Sequence, residues 1–169
     1  WVGGRYSMWG PIGLSLMIAI GRDAFHAFLR GAQSMDRHFC DAEFHENLPV
    51  LLALVGVWHN QVCDYATRAV LPYDQRLSRL SAYFQQLEME SLGKKPNKNS
   101  EFKKTGQIIF GGYGPTAQHS YFQLLHQGTH NVCADIILNK NKSFGNLVYS
   151  QGITQAGLLS KGAKNLLRD

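Results

Sequence analysis

Apolar positions fall in short clusters along this chain, separated by glycine, proline and charged residues, with no single long periodic stretch. Met8, Ile12, Leu14, Leu16, Met17 and Ile20 follow one another at mixed spacings of one to four. They predict a helix from a Ser7 cap to about residue 20, with Pro11 in its first turn. Gly21 and Arg22-Asp23 punctuate the pattern, and Phe25, Phe28 and Leu29 predict a second, short helix toward Gly31. Asn47-Leu48-Pro49 opens a third helix that carries VLLALVGVW to about Val62. Because that run is apolar on nearly all sides, it is expected to be central and buried.

Beyond residue 66 the pattern changes. Thr67–Tyr73 predicts a short strand ended by Pro72, and a helix follows from about Asp74 to Ser91. GQIIFGGYG predicts a strand at 107–110 with a glycine-rich exit, after which Thr116 is placed to cap a helix through Leu125. VCADIIL at 132–138 predicts a third strand, and residues 144–164 a weakly patterned last helix. Strands alternating with helices, the later strands apolar as if buried on both faces, predict an α/β fold with an open parallel sheet flanked by helices. With no repeat and no linker, 169 residues predict one domain with a proper core.

Composition narrows the function classes. A net charge of +5 comes from 17 Lys and Arg against 12 Asp and Glu, a mild excess for a nucleic-acid binder. Lys94, Lys95, Lys98, Lys103 and Lys104 cluster in one stretch without interleaved aromatic platforms, so they predict a solvated loop and no nucleic-acid partner. Cys40, Cys63 and Cys133 are widely spaced and form no C-x-x-C pair, which predicts reduced thiols in a cytosolic protein and no disulfide framework or zinc site. The longest apolar run is about half of what a membrane crossing needs, and no leader pattern opens the chain. A soluble, cytoplasmic, unsecreted protein without a membrane partner is the expectation.

In open parallel sheets ligands bind beyond the carboxyl ends of the strands, and three stretches are candidates for that place. Gly3-Gly4-Arg5 is the first: the glycines let backbone approach a ligand, a following helix would offer free N–H groups, and Arg5 adds a fixed cationic fork. In YFQQLEMESLG, Gln86 and Glu90 are four apart on a predicted helix, so an amide that orients a hydroxyl lies one turn from a carboxylate able to move a proton. Glu88 points elsewhere. In GGYGPTAQHSYFQLLHQGTH, His119 falls in the first turn after the Thr116 cap, and His126 lies two turns on along roughly the same face. No third ligand completes a metal site, and no nucleotide fingerprint or nucleophile–histidine grouping is present. The inventory of carboxylate, histidine and arginine fits metal-free, cofactor-free proton transfer on a carbonyl compound.

The stretches VGGRYS, NLPVLLALVGVW, LPYDQRLSRLSAYFQQLEMES and AQHSYFQLLHQGT, in this order and spacing, strongly resemble the phosphoglucose isomerase family over residues 1 to about 138. That resemblance implies a sugar-isomerase (SIS-type) α/β/α sandwich, with this chain as the second of the family's two such domains. It also implies interconversion of glucose 6-phosphate and fructose 6-phosphate by ring opening and proton transfer through a cis-enediol, without metal or cofactor. By position, Glu90 matches the proton-shuttling base, tuned by burial, and His119 the histidine that assists ring opening from the neighbouring subunit of a homodimer. Arg5 matches the arginine that stabilises the enediolate, Gln86 a substrate-contacting glutamine, and Gly4 a backbone lining of the same site. The family's phosphate-binding loop and ring-opening lysine have no counterpart here, so the resemblance further implies a piece of a longer enzyme, lacking an upstream domain and a C-terminal segment. A non-catalytic sugar-phosphate-binding module is the alternative.

Overall fold

A computed structural model of the chain describes residues 3–139 and 146–162. The chain divides into two compact units, residues 1–58 and 59–169.

In the first unit, turns at residues 4–10 lead into a 3-10 turn, Pro11–Gly13, and then α1 (Leu14–Ile20). Pro11 sits in the first turn as expected, since its missing N–H is not needed there. Ser7 does not cap the helix; its hydroxyl donates back to the Gly4 carbonyl at 2.8 Å. Gly21, at φ +87°, turns the chain into α2 (Arg22–Asp41), which is 20 residues long. The short helix expected to end near Gly31 thus runs ten residues further, because a glycine inside a well-patterned helix weakens it without stopping it. α3 (Leu48–Val57) begins where predicted, with Asn47 Oδ1 accepting from the Val50 N–H at 3.3 Å. Its burial differs from expectation: Leu52 is 64% exposed, and Leu48, Leu54, Val55 and Val57 are exposed as well. A helix apolar all round is buried only when surrounded on every side, and within its unit α3 packs chiefly on α2.

The second unit holds three parallel strands, β1 (Thr67–Pro72), β2 (Ile108–Gly111) and β3 (Val132–Ile137), in the order β2-β1-β3. Arg68 stands in register with Ile109 on one side and Cys133 on the other, and Val70 with Gly111 and Asp135. Central β1 is the best-covered element, with Ala69, Val70 and Leu71 fully buried. Period-two alternation gives the sheet two different faces. Ala69, Leu71 and Tyr73 pack with Ala117 and Phe122 into the hydrophobic core, which Phe110, Ile136, Val148 and Leu159 extend. The opposite face carries Arg68, Val70 and Ile109.

The helix expected at 74–91 is broken into pieces. A 3-10 turn, Gln75–Leu77, is capped by Asp74. Then α4 (Leu80–Phe84), a π-helical turn (Gln85–Met89) and α5 (Glu90–Leu92) run on without a break and cover the Arg68 face. The helix expected at 116–125 is likewise two, α6 (Gly114–Ala117) and α7 (Phe122–Gln127), separated by a turn. Pro115 stands in the first turn of α6, which begins two residues before Thr116. α8 (Asn146–Lys161) packs on β3 and α6, on the core face. The remainder of the helix predicted at 144–164 lies outside the described residues. β3 is not buried on both faces as its composition suggested; Cys133 is buried, but Asp135 interrupts the apolar run and is matched by Arg68.

Candidate active site

Two groups of polar side chains organise the second unit, one at each end of the sheet. Chain order makes the carboxyl end between β1 and β3 the place where the topology reverses: β1 leads to β2 on one side, and the next crossover returns to β3 on the other. There Asp74, 4% exposed at its side chain, accepts from Arg76 Nη2 at 2.7 Å, from the Arg76 N–H at 3.0 Å and from Asn139 Nδ2 at 3.0 Å. These bonds, from Arg76 first and Asn139 after it, hold the Asp74 carboxyl far below the usual carboxylate range against the opposing effect of burial. Beside it Gln118 Nε2 donates to the Tyr73 hydroxyl at 2.8 Å, and burial pushes the Tyr73 phenol up more than that bond lowers it.

His119 is at this end. It lies exposed in the turn between α6 and α7, where its N–H donates to the Thr116 carbonyl at 3.1 Å. Thr116 does not cap a helix, so His119 is not in a first helical turn as expected. His126 does not share its face either: it closes α7, within 3.1 Å of Gln155 on α8.

Gln86 and Glu90 lie toward the other end. The crossover from β1 carries the chain back along the sheet. Met89 meets Ile109 near the start of β2, and Leu92 packs against Gly106, ahead of that strand. The expectation that this stretch lies beyond the carboxyl ends of the strands is therefore corrected, for a physical reason: parallel neighbours require a return crossover, and Glu90 is near its end. Gln86 and Glu90 are both exposed, so Glu90 does not have the burial that the resemblance implied.

What fixes this segment is a set of side chains that sequence reading passed over. Arg68 Nε donates to Asp135 Oδ2 at 2.6 Å, and its Nη1 donates to both carboxylate oxygens of Glu88, at 3.0 and 3.1 Å. Burial alone would lower the Arg68 pKa; the charge and hydrogen bond of Asp135, then Glu88, outweigh it, so the guanidinium stays charged. Gln85 Nε2 donates to the Ile109 carbonyl at 3.0 Å, and the Ile109 N–H meets Met89 Sδ at 3.3 Å. Charged residues on the inward period of two strands, Arg68 in TRAVLP and Asp135 in VCADII, were the available signal for this network.

Arg5 and Gly4 belong to the first unit. Gly4 accepts from the Ser7 N–H at 3.3 Å as well as from its hydroxyl, and the Arg5 guanidinium lies over the Tyr6 ring, 5.1 Å from its centroid. The Gly-Gly-Arg segment opens a series of turns and not a helix, so the N–H groups of a helix start are not at Arg5. Cys40, Cys63 and Cys133 are free thiols, and among the described residues no three His, Cys, Asp or Glu side chains gather as a metal site. No helix among them is long and apolar enough to cross a membrane.

Comparison with known proteins places these features in a family. The family model described as phosphoglucose isomerase matches residues 1–163. A glucose-6-phosphate isomerase of Cereibacter sphaeroides is 61% identical over 143 residues, covering 83% of this chain and 27% of that protein. One from Ruegeria sp. is 48% identical over 169 residues, covering 99% of this chain and 32% of its own length. The crystal structure of a glucose-6-phosphate isomerase from Chlamydia trachomatis superposes with a TM-score of 0.76 at 36% identity, over 90% of this chain and 33% of that one. A hypothetical protein from Thermus thermophilus, 24% identical with a TM-score of 0.76, shares the fold. The chain thus spans about a third or less of the curated relatives it matches. With the match running through almost its whole length, it belongs to the phosphoglucose isomerase family.

Proposed function

We propose that this chain is the second sugar-isomerase domain of a cytoplasmic glucose-6-phosphate isomerase and carries its proton-transferring group. The observation that carries the reading is the 61% identity to the Cereibacter isomerase through the segment that holds Gln86, Glu90 and His119. Glu90 takes the proton from C2 of ring-opened glucose 6-phosphate, leaving a cis-enediol, and returns it at C1 to give fructose 6-phosphate. Arg5 stabilises the negative charge that develops on the enediolate oxygen, as a fixed cation does best when water is excluded. Gln86 and the backbone of Gly4 orient the sugar.

His119 assists ring opening in the site of a second copy. Support for that arrangement comes from the placement of Glu90 and His119 toward opposite ends of one sheet. No step in this scheme requires a metal or an organic cofactor, because the proton leaves a carbon next to a carbonyl and the charge is held by protein groups. The phosphate grip comes from parts of the isomerase outside this chain, and positioning of the substrate contributes several kcal/mol of such a barrier, so the chain alone turns over little or no substrate.

A coupled assay for conversion of fructose 6-phosphate to glucose 6-phosphate tests this. It is run on the chain alone and on the chain mixed with the remaining parts of the Cereibacter isomerase. Activity that arises on mixing and disappears with Glu90→Gln supports the reading. Absence of activity in a folded, reconstituted complex overturns it and leaves a sugar-phosphate-binding module.

A further inference from the structure

The π-helical turn Gln85–Met89 is held to the sheet by side chains that the reaction scheme does not use. A single wide turn, bonded i to i+5, is rare in an α-helix and concentrates at functional sites. Here three contacts hold it. The Glu88 carboxylate takes both its oxygens to Arg68 Nη1, at 3.0 and 3.1 Å. Gln85 and Met89 occupy the carbonyl and the N–H of Ile109, which strand pairing with β1 does not use. Asp135, from β3, takes Arg68 Nε at 2.6 Å, so the guanidinium is locked between two strands and cannot follow Glu88 if the turn rotates.

The consequence falls on Glu90. Only Ser91 and Leu92 follow it before Gly93 ends the helix, so no long downstream helix fixes its backbone. Its placement is set by the turn before it. A helix that regained ordinary i to i+4 bonding through residues 85–89 would rotate Glu90 about the axis relative to the sheet, moving it against Gln86 and against any substrate. Ser91 Oγ, donating to the Leu87 carbonyl at 2.6 Å, takes up one acceptor within this turn.

We propose that Glu88, clamped by Arg68 and Asp135, is a positioning residue that keeps the π-helical turn and thereby sets where Gln86 and Glu90 stand for proton transfer. The role in catalysis rests on the isomerase reading above; the anchoring itself does not. Glu88 touches no reacting atom and acts through the backbone it holds.

The test uses isotope-labelled 169-residue chain, observed by NMR without any sugar phosphate. With Glu88→Gln, which keeps size and removes charge, amides of residues 85–91 exchange about tenfold faster, while those of Ala69–Leu71 change less than about twofold. The Glu90 carboxyl carbon signal shifts or broadens, and Glu88→Asp, which keeps the charge, restores most of both effects. Should Glu88→Gln fail to fold, Asp135→Asn loosens Arg68 without touching the helix and gives the same local pattern. Unchanged exchange and an unchanged Glu90 signal overturn the proposal, as does equal acceleration in the strand and the turn, which would make the ion pair a source of general stability only. In the reconstituted isomerase, Glu88→Gln lowers kcat about tenfold with KM within about twofold, and an unchanged kcat overturns the catalytic half. Because the NMR arm needs no turnover, failure of the isomerase reading leaves a clear result on the anchor, and failure of the anchor leaves Glu90→Gln free to abolish activity.

Discussion

Glu90 and His119 lie toward opposite ends of the same three-stranded sheet. Glu90 sits near the end of the crossover that returns from β1, one residue beyond Met89 and its contact with Ile109. His119 follows the carboxyl-end exit of β2, next to Gln118 and its bond to Tyr73. Strands rise about 3.3 Å per residue, so the five steps from Arg68 in β1 to Tyr73 just beyond it correspond to about 16 Å along the sheet. In the proposed scheme the base and the ring-opening histidine of one chain therefore belong to different sites.

That separation leads to a complementation experiment. An isomerase dimer in which each site takes Glu90 from one copy and His119 from the other is inactivated by either Glu90→Gln or His119→Ala. Mixing the two inactive variants after subunit exchange yields mixed dimers with one intact site, and about a quarter of the unmutated activity returns if partners pair at random. No recovery after verified exchange would place both residues in the same copy's site.

Asp74 gives a pH dependence. Its folded-state pKa is lowered from 3.8, chiefly by Arg76 and then Asn139. A lowered carboxylate pKa means the folded state favours the charged form: the stabilisation is fully present above the unfolded value and is lost as pH falls below it toward the folded one. Thermal unfolding followed from pH 7 to pH 2 should therefore show a fall in Tm below about pH 4 that Asp74→Asn flattens. At pH 7 the same substitution costs about 2 kcal/mol, because Arg76 and Asn139 lose a charged acceptor in a buried place. A variant as stable as the parent at neutral pH, with the same acid profile, would show that Asp74 does not tie the ends of β1 and β3.

Gly111 closes β2 with φ +145°, a backbone conformation that side-chain-bearing residues seldom adopt, and a Cβ added there would overlap the Val70 carbonyl oxygen. Gly111→Ala is expected to cost about 3 kcal/mol through strain and loss of β1–β2 pairing. Urea unfolding measures it. A loss below about 1 kcal/mol would mean that the strand end shifts freely and that the glycine is not required by the close approach.

Much of the second unit was legible in the residues. TRAVLP, IIFG and VCADII carry the β-branched and apolar composition of short strands, and each forms one, in parallel and within a residue or two of the expected ends. Asn47 before Leu48-Pro49 announced the start of α3 for a local reason, since a side-chain cap depends on neighbours three residues away. Helix interiors were less legible. α2 runs past Gly31 because its twenty residues keep an amphipathic face that a single glycine does not interrupt, and the π-helical turn at 85–89 has no local signature. The apolar face of α3 marked it correctly as hydrophobic all round but not as buried, since burial depends on what lies beside it.

The sequence by itself determined the family, the alternation of strands and helices, and the residue types proposed for proton transfer, because these depend on composition and order along the chain. Tertiary structure alone decided that Arg68, Glu88 and Asp135, separated by 20 and 67 positions from Arg68, form one ion network. It also decided that Glu90 stands away from His119. Both are consequences of parallel pairing: a strand's neighbours in space are remote in sequence, and each crossover carries the chain from the carboxyl end of the sheet back to its amino end, so distances along the chain say little about distances across the sheet.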